Sequence, residues 1–136
     1  MAISPKNMHY LILLLVGTQA MHSVEEYYTK LWEVLPIAAF LTGIFSDDLE
    51  KGFLIINISL FVIGLISWQY VKNNLDRTSF ALIWFWIILE FTNGVGHNVW
   101  ALIEGSYVSG QITAIALFFI SVSSAIIYIK AHKLKI

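Results

Sequence analysis

The chain has 136 residues, of which 58% are hydrophobic and 12% charged, with a net charge of −1 and a mean hydropathy of +0.75. Soluble domains run nearer ~25% charged, so this composition points to a membrane protein. The lack of any basic surplus excludes binding to a nucleic-acid backbone. The absence of cysteine excludes disulfides, iron–sulfur clusters and thiolate zinc sites.

A spanning helix needs roughly 20 largely apolar residues. Four segments meet that requirement, at about residues 9–28, 53–71, 79–103 and 110–129. They predict an all-α integral membrane protein, a single domain over residues 1–136 with four transmembrane helices in a bundle. Lys6, Tyr10–Val16 and Thr18-Gln19-Ala20 also have the layout of a cleavable signal. An uncleaved span is the expected reading, because cleavage would discard a helix that leads into an acidic cluster.

Residues 31–45 are apolar but too short to span, and Pro36 interrupts them. A short interfacial or re-entrant helix between the first two spans is expected there, with a fifth, kinked span as the weaker alternative. Asp47-Asp48 precede the second span, where negative charge suits a helix N-terminus. The polar turn Asp76-Arg77-Thr78-Ser79 offers two N-cap candidates before the third. Trp32, Trp68, Tyr70, Trp100, Tyr107 and Tyr128 fall near span ends, as interfacial aromatics do. The run Trp84-Phe85-Trp86 is expected to face lipid.

Basic residues set the orientation. With four spans, Lys6, Lys72, Arg77, Lys130, Lys133 and Lys135 share one side, and only Lys30 and Lys51 lie on the other. Both termini of this multi-pass protein are therefore expected in the cytoplasm. The first and third helices then run in the same direction, so His22 and His97 both fall in the outer half of the bilayer. Asn57 and the segment from Gly110 to Thr113 lie at a similar level.

Ionisable residues inside spans are costly and point to function. His22, Glu25 and Glu26 are spaced i, i+3, i+4 and share a helix face, which Thr18 and Gln19 extend. Glu90, Asn93 and His97, spaced i, i+3, i+7, form a second stripe, flanked by Gly94 and Gly96. Together they make a candidate metal site: His22 and His97 with one or two of Glu25, Glu26 and Glu90. Two histidines with carboxylates suit a divalent metal such as zinc, iron or manganese, and leave a position open for water. Within the His22-Glu25-Glu26 cluster, His22 and Glu25 are the expected inward pair, and Glu26 is the member most readily assigned to the membrane exit. Glu90 near mid-span is the least compatible with a merely structural role, since a central charge costs roughly 2.5–3.5 kcal/mol even on a lenient scale. Asn93 suits a substrate carbonyl or oxyanion, or a plain helix–helix hydrogen bond.

These residues resemble the HXXEE family of small membrane proteins. The name motif stands as His22-Ser23-Val24-Glu25-Glu26, an Asn-x-x-x-His element as Asn93-Gly94-Val95-Gly96-His97, and a Gly-x-x-Thr element as Gly110-Gln111-Ile112-Thr113. The resemblance implies that these motif residues form a site and that the protein is enzymatic, without specifying a reaction. At the level of architecture, the chain is also similar to emopamil-binding-type sterol isomerases, which is an analogy of fold and not of motif.

The leading expectation is a membrane enzyme, a metal-dependent hydrolase or lipid-modifying enzyme. Its metal, zinc or iron, would be held by His22, His97 and Glu25, with Glu26 or Glu90. Its catalytic carboxylates and amide would be drawn from Glu25, Glu26, Glu90 and Asn93, with Gly110, Thr113 and Asn57 in support. The substrate would be an amphipathic lipid or isoprenoid entering from the bilayer, and homo-oligomers are compatible with the sequence. One alternative is a metal-free acid/base isomerase or lipid-binding protein using Glu90 and His22. Another is a proton or ion transporter or a small interaction subunit. Bis-histidine haem ligation is disfavoured by the carboxylates crowding His22.

Overall fold

A computed structural model of the chain describes residues 7–133. Lys6, Lys135 and the side chain of Lys133, all used above to judge orientation, lie outside it. The described residues form helices joined by short turns, with no strand among them: α1 (His9–Tyr28), α2 (Leu31–Val34), α3 (Pro36–Phe45), α4 (Leu49–Asn73), α5 (Arg77–Glu104) and α6 (Gln111–Lys133).

Cross-helix contacts fix the directions. Ser23 donates to Asn57 at 2.6 Å and Tyr27 to Glu50 at 2.5 Å, so α1 and α4 are antiparallel. Tyr70 at the end of α4 donates to Asp76 just before α5 at 2.8 Å, closing a tight reversal. Asn93 meets Gln19, while His97 meets the later residue Glu26, so α1 and α5 run the same way. The α5–α6 pair is antiparallel, with Trp84 near Tyr128 and Phe91 near Phe118. A Cβ at Gly94 would fall 2.7 Å from the Phe118 backbone nitrogen, so this glycine is what lets α5 and α6 approach there.

Three helices, α4, α5 and α6, are long and apolar enough to cross a membrane. The expectation of four is met only in part. The apolar stretch of α1 is short, and its second half is polar. Its buried residues include Thr18, Gln19, His22 and Glu26. These polar groups are sheltered by neighbouring helices rather than exposed. Many large apolar side chains on α4, α5 and α6 point outward instead; Ile58, Ile66, Ile88 and Phe119 are all exposed. So much exposed apolar surface is unlike a water-soluble monomer and supports a membrane protein.

The sequence between α1 and α4 forms two helices rather than one. Lys30 turns the chain with φ 51°. Leu35 is extended (φ −117°, ψ 111°), as the residue before a proline prefers, and Pro36 then starts α3. Asp48 caps α4 by accepting from Lys51 N at 3.2 Å, and Asp76 caps α5 by accepting from Ser79 N at 2.8 Å, as the sequence led us to expect.

The main apolar core gathers Ile12, Leu15 and Val16 of α1 with Trp86 and Ile87 of α5. Trp86 is fully buried, which corrects the expectation that Trp84-Phe85-Trp86 faces lipid. A run of three aromatics on a helix spreads over more than half its circumference, so one of them must turn inward. Trp32 and Tyr128, expected near span ends, are also buried against neighbouring helices. The polar residues sit toward the other end of the molecule, where the C-terminal parts of α1 and α5 meet the start of α6.

Candidate metal centre

His22 and Glu26 lie one turn apart on α1, and His97 faces them from α5. Oε1 of Glu26 is 3.2 Å from Nε2 of His22 and 3.1 Å from Nε2 of His97. The imidazoles stand edge to face with centroids 4.7 Å apart. All three side chains are buried. One ligating atom from each residue lies within 4.8 Å of the others.

The outward nitrogens determine what the inward ones carry. Nδ1 of His97 is 2.7 Å from the Ser109 carbonyl oxygen, which can only accept, so Nδ1 holds the proton. Nδ1 of His22 is 2.8 Å from the Thr113 hydroxyl. That hydroxyl donates to Oε2 of Glu25, so its oxygen accepts from Nδ1–H of His22. In each neutral imidazole Nε2 is then the bare nitrogen. Two imidazole Nε2 atoms and a carboxylate oxygen converge on one buried point, and Nε2 of His22 has no aligned hydrogen bond there. Such a group could hold a metal ion.

Bonds of ~2.0–2.1 Å in a tetrahedral site set neighbouring ligand atoms ~3.3 Å apart; the two carboxylate–imidazole distances, 3.1 and 3.2 Å, are close to that, while the three ligand atoms as a set span up to 4.8 Å, so a shared metal would draw the group together. Two histidines and one carboxylate leave a position for water or substrate. Hydrogen bonds from each outer imidazole nitrogen to a fixed acceptor are the usual support of histidine ligands. Zinc and iron share this donor set.

The α5–α6 connection closes the site. Gly110 has φ 76°, and a Cβ there would fall 2.8 Å from Cε1 of His22 and 3.0 Å from both Cγ of Glu26 and Cε1 of His97. The backbone thus packs directly on all three residues, which only glycine allows. Three residues on, Thr113 joins His22 to Glu25.

Glu25 is not among the three converging residues. Its carboxylate accepts from Ile112 N at 3.0 Å, Thr113 N at 2.8 Å and the Tyr107 hydroxyl at 2.7 Å, besides Thr113 Oγ1. A carboxylate from α1 therefore caps the first turn of α6, where free N–H groups and the helix dipole favour negative charge. Glu26, the member set aside most readily, is the one between the imidazoles. Offsets of three and four residues put Glu25 and Glu26 on opposite sides of His22 on the helix, one toward α6 and the other toward His97.

Glu90 also stands apart. It lies two turns before His97, ~10 Å along the axis, and is fully buried with neither carboxylate oxygen hydrogen-bonded. Asn93 donates to Gln19 Oε1 at 3.2 Å, and Gln19 donates to Ser23 at 3.2 Å. Ser23 reaches Asn57, whose amide returns to the Phe53 carbonyl at 3.0 Å. Asn57 and Asn93 thus belong to a polar string crossing α4, α1 and α5. Sequence reasoning missed Ser109 and Tyr107. Ser109 acts through its carbonyl, which no motif reports. Tyr107 was visible only as an aromatic near a span end.

Beside the triad lies a cavity of about 590 Å³, with Glu26, His97, Gln19, Asn57 and Asn93 among its lining. No family model, no curated protein and no solved structure matches this chain.

Proposed function

We propose that the chain is a membrane enzyme of the HXXEE type, whose centre of His22, Glu26 and His97 holds one divalent metal, zinc or iron. The observation that carries this reading is the convergence of the two Nε2 atoms on Oε1 of Glu26, with both Nδ1 atoms hydrogen-bonded elsewhere. A metal held there supplies Lewis acidity, polarising a substrate oxygen and acidifying water. The chain's own residues do the rest. Ser109 and Thr113 hold the imidazoles in register, and Gly110 fixes their spacing. Glu26 meets both imidazoles through Oε1, which leaves Oε2 to accept a proton. Asn93 presents an amide to a substrate carbonyl in the adjoining cavity. Glu25, already taken by four donors, is not the base.

In this reading α1 is a fourth span, both termini are cytoplasmic, and the centre lies in the outer half of the bilayer. His22 and His97 are each about two turns, ~9–10 Å, from the ends of their helices, within reach of an amphipathic, lipid-like substrate. The test is metal analysis of protein purified without chelators. About one equivalent of zinc or iron is expected, lost in His22→Ala and in His97→Ala but retained in Glu90→Gln. Metal well below one equivalent, with the same content in His22→Ala, overturns the reading.

A further inference from the structure

We infer that a second pocket, walled by Thr29, Ser109 and Trp100, is the aqueous port of the metal centre, through which water and hydrated divalent cations reach it. This rests on the metal reading above and assigns the route by which that centre is filled and kept wet.

This pocket has a volume of about 360 Å³. It lies where α1 and α5 end and the chain turns toward α6, and Thr29, Glu104, Ser106, Tyr107 and Ser109 bring hydroxyls and a carboxylate to its lining. Glu104, Ser106 and Tyr107 are exposed. Because α5 is long and apolar enough to span, its end marks a membrane face, and a polar pocket there opens to water whichever face it is. The 590 Å³ cavity differs. Ile37 and Leu41 in its lining are exposed, as are Phe40 and Ile44 on the same helix, so its mouth is apolar. A hydrated cation crossing such a mouth would shed water with nothing to replace it, which is prohibitive for a charge. A buried metal site needs an entry path, and of these two openings the polar pocket suits an ion.

The wall between this pocket and the triad is thin. Ser109 lines the pocket, and its carbonyl accepts from Nδ1 of His97 at 2.7 Å. Tyr107 lines it too, and its hydroxyl begins a chain through Glu25 and Thr113 to Nδ1 of His22. The outer nitrogens of both imidazoles are thus tied, directly or in steps, to the pocket wall. Trp100 stands between the two openings and lines both, with its ring centroid 6.1 Å from that of His97 and its Nε1 3.3 Å from Oε1 of Glu104. The closure is a pair of hydroxyls. Oγ1 of Thr29 and Oγ of Ser109 lie 2.5 Å apart. Thr29 donates its proton to the Glu25 carbonyl at 2.7 Å, so Ser109 is the donor between the two hydroxyls. One neutral hydrogen bond of this kind exchanges readily for bonds to water. The closure can therefore open for an ion without unfolding either helix.

The test exploits the absence of cysteine from the chain, so that one substitution gives one thiol. Ser106→Cys puts it in the polar pocket and Leu41→Cys at the apolar mouth, neither of them in the triad. Each variant, full length, zinc-loaded and in lipid nanodiscs, is capped with the same bulky aryl maleimide, and intact mass checks the capping. The readout is the rate at which zinc passes to excess EDTA. The cap at position 106 is expected to slow zinc loss at least tenfold, and the cap at position 41 less than twofold. Thr29→Ala, which removes the hydroxyl closure, should speed the loss severalfold with zinc content unchanged. Loss unaffected by the cap at position 106, or slowed equally by the cap at position 41, overturns the inference and leaves the metal reading standing. Absence of zinc from the uncapped parent sinks the metal reading, and the port with it.

Discussion

The hydroxyl of Thr113 accepts a hydrogen bond from Nδ1–H of His22 at 2.8 Å and donates one to Glu25. One side chain thus fixes the tautomer of a candidate ligand and anchors the carboxylate that caps α6. Thr113→Val keeps the shape and removes both bonds. Support of this kind is worth roughly 10–100-fold in metal affinity, so zinc should be lost to a competing chelator in that range. Thr113→Ser should bind like the parent. Parent-like affinity in the valine variant would remove Thr113 from the centre.

Gly110 and Gly105 both have positive φ, 76° and 63°, but only Gly110 faces the triad; a Cβ at Gly105 meets nothing within 4 Å. Gly105→Ala isolates backbone strain, of order ~1 kcal/mol. Gly110→Ala adds a clash with His22, Glu26 and His97. It should lower the thermal midpoint further and also release metal, whereas Gly105→Ala should keep metal. Melting curves and metal content on the two variants check this.

Glu90 is buried with no hydrogen-bond partner for its carboxylate. Burial of an unsatisfied polar group costs ~1–3 kcal/mol by mutational measures. Glu90→Leu, close in size, should therefore raise the thermal midpoint without changing metal content. If turnover falls while stability rises, Glu90 serves the reaction from a distance. A lower midpoint would mean that the carboxyl has a partner.

Asp76, on the turn between α4 and α5, has its carboxyl held below the ordinary 3.8, first by the Ser79 backbone N–H and then by the Tyr70 hydroxyl. A depressed folded pKa adds stability that is present above the unfolded value and lost as pH falls through the folded one. Stability should therefore decline below about pH 4. Asp76→Asn keeps the cap without the titration and should flatten that decline. Parallel acid melts of the two proteins decide it.

Much of this was legible from local pattern. The stripes on α1 and α5, the proline break before α3 and the aspartate caps all follow from spacing and residue type. The parallel course of α1 and α5 follows from the count of reversals between them, and it brings His22 level with His97. What was not legible depends on helix rotation. Glu25 and Glu26 are neighbours in sequence, and only the placement of α6 against α1 assigns one to the cap and the other to the triad. The burial of α1's polar face likewise depends on its neighbours, which is why that helix reads as a span by length but not by hydropathy. Ser109 contributes a backbone carbonyl, to which side-chain patterns are blind.

Whether His22, Glu26 and His97 share one metal is decided by X-ray absorption at the zinc edge of the zinc-loaded protein. Two imidazole nitrogens and one or two oxygens at ~2.0–2.1 Å are expected, with the imidazole signal halved in His97→Ala. A first shell without imidazole, or a spectrum that His22→Ala and His97→Ala leave unchanged, would contradict it.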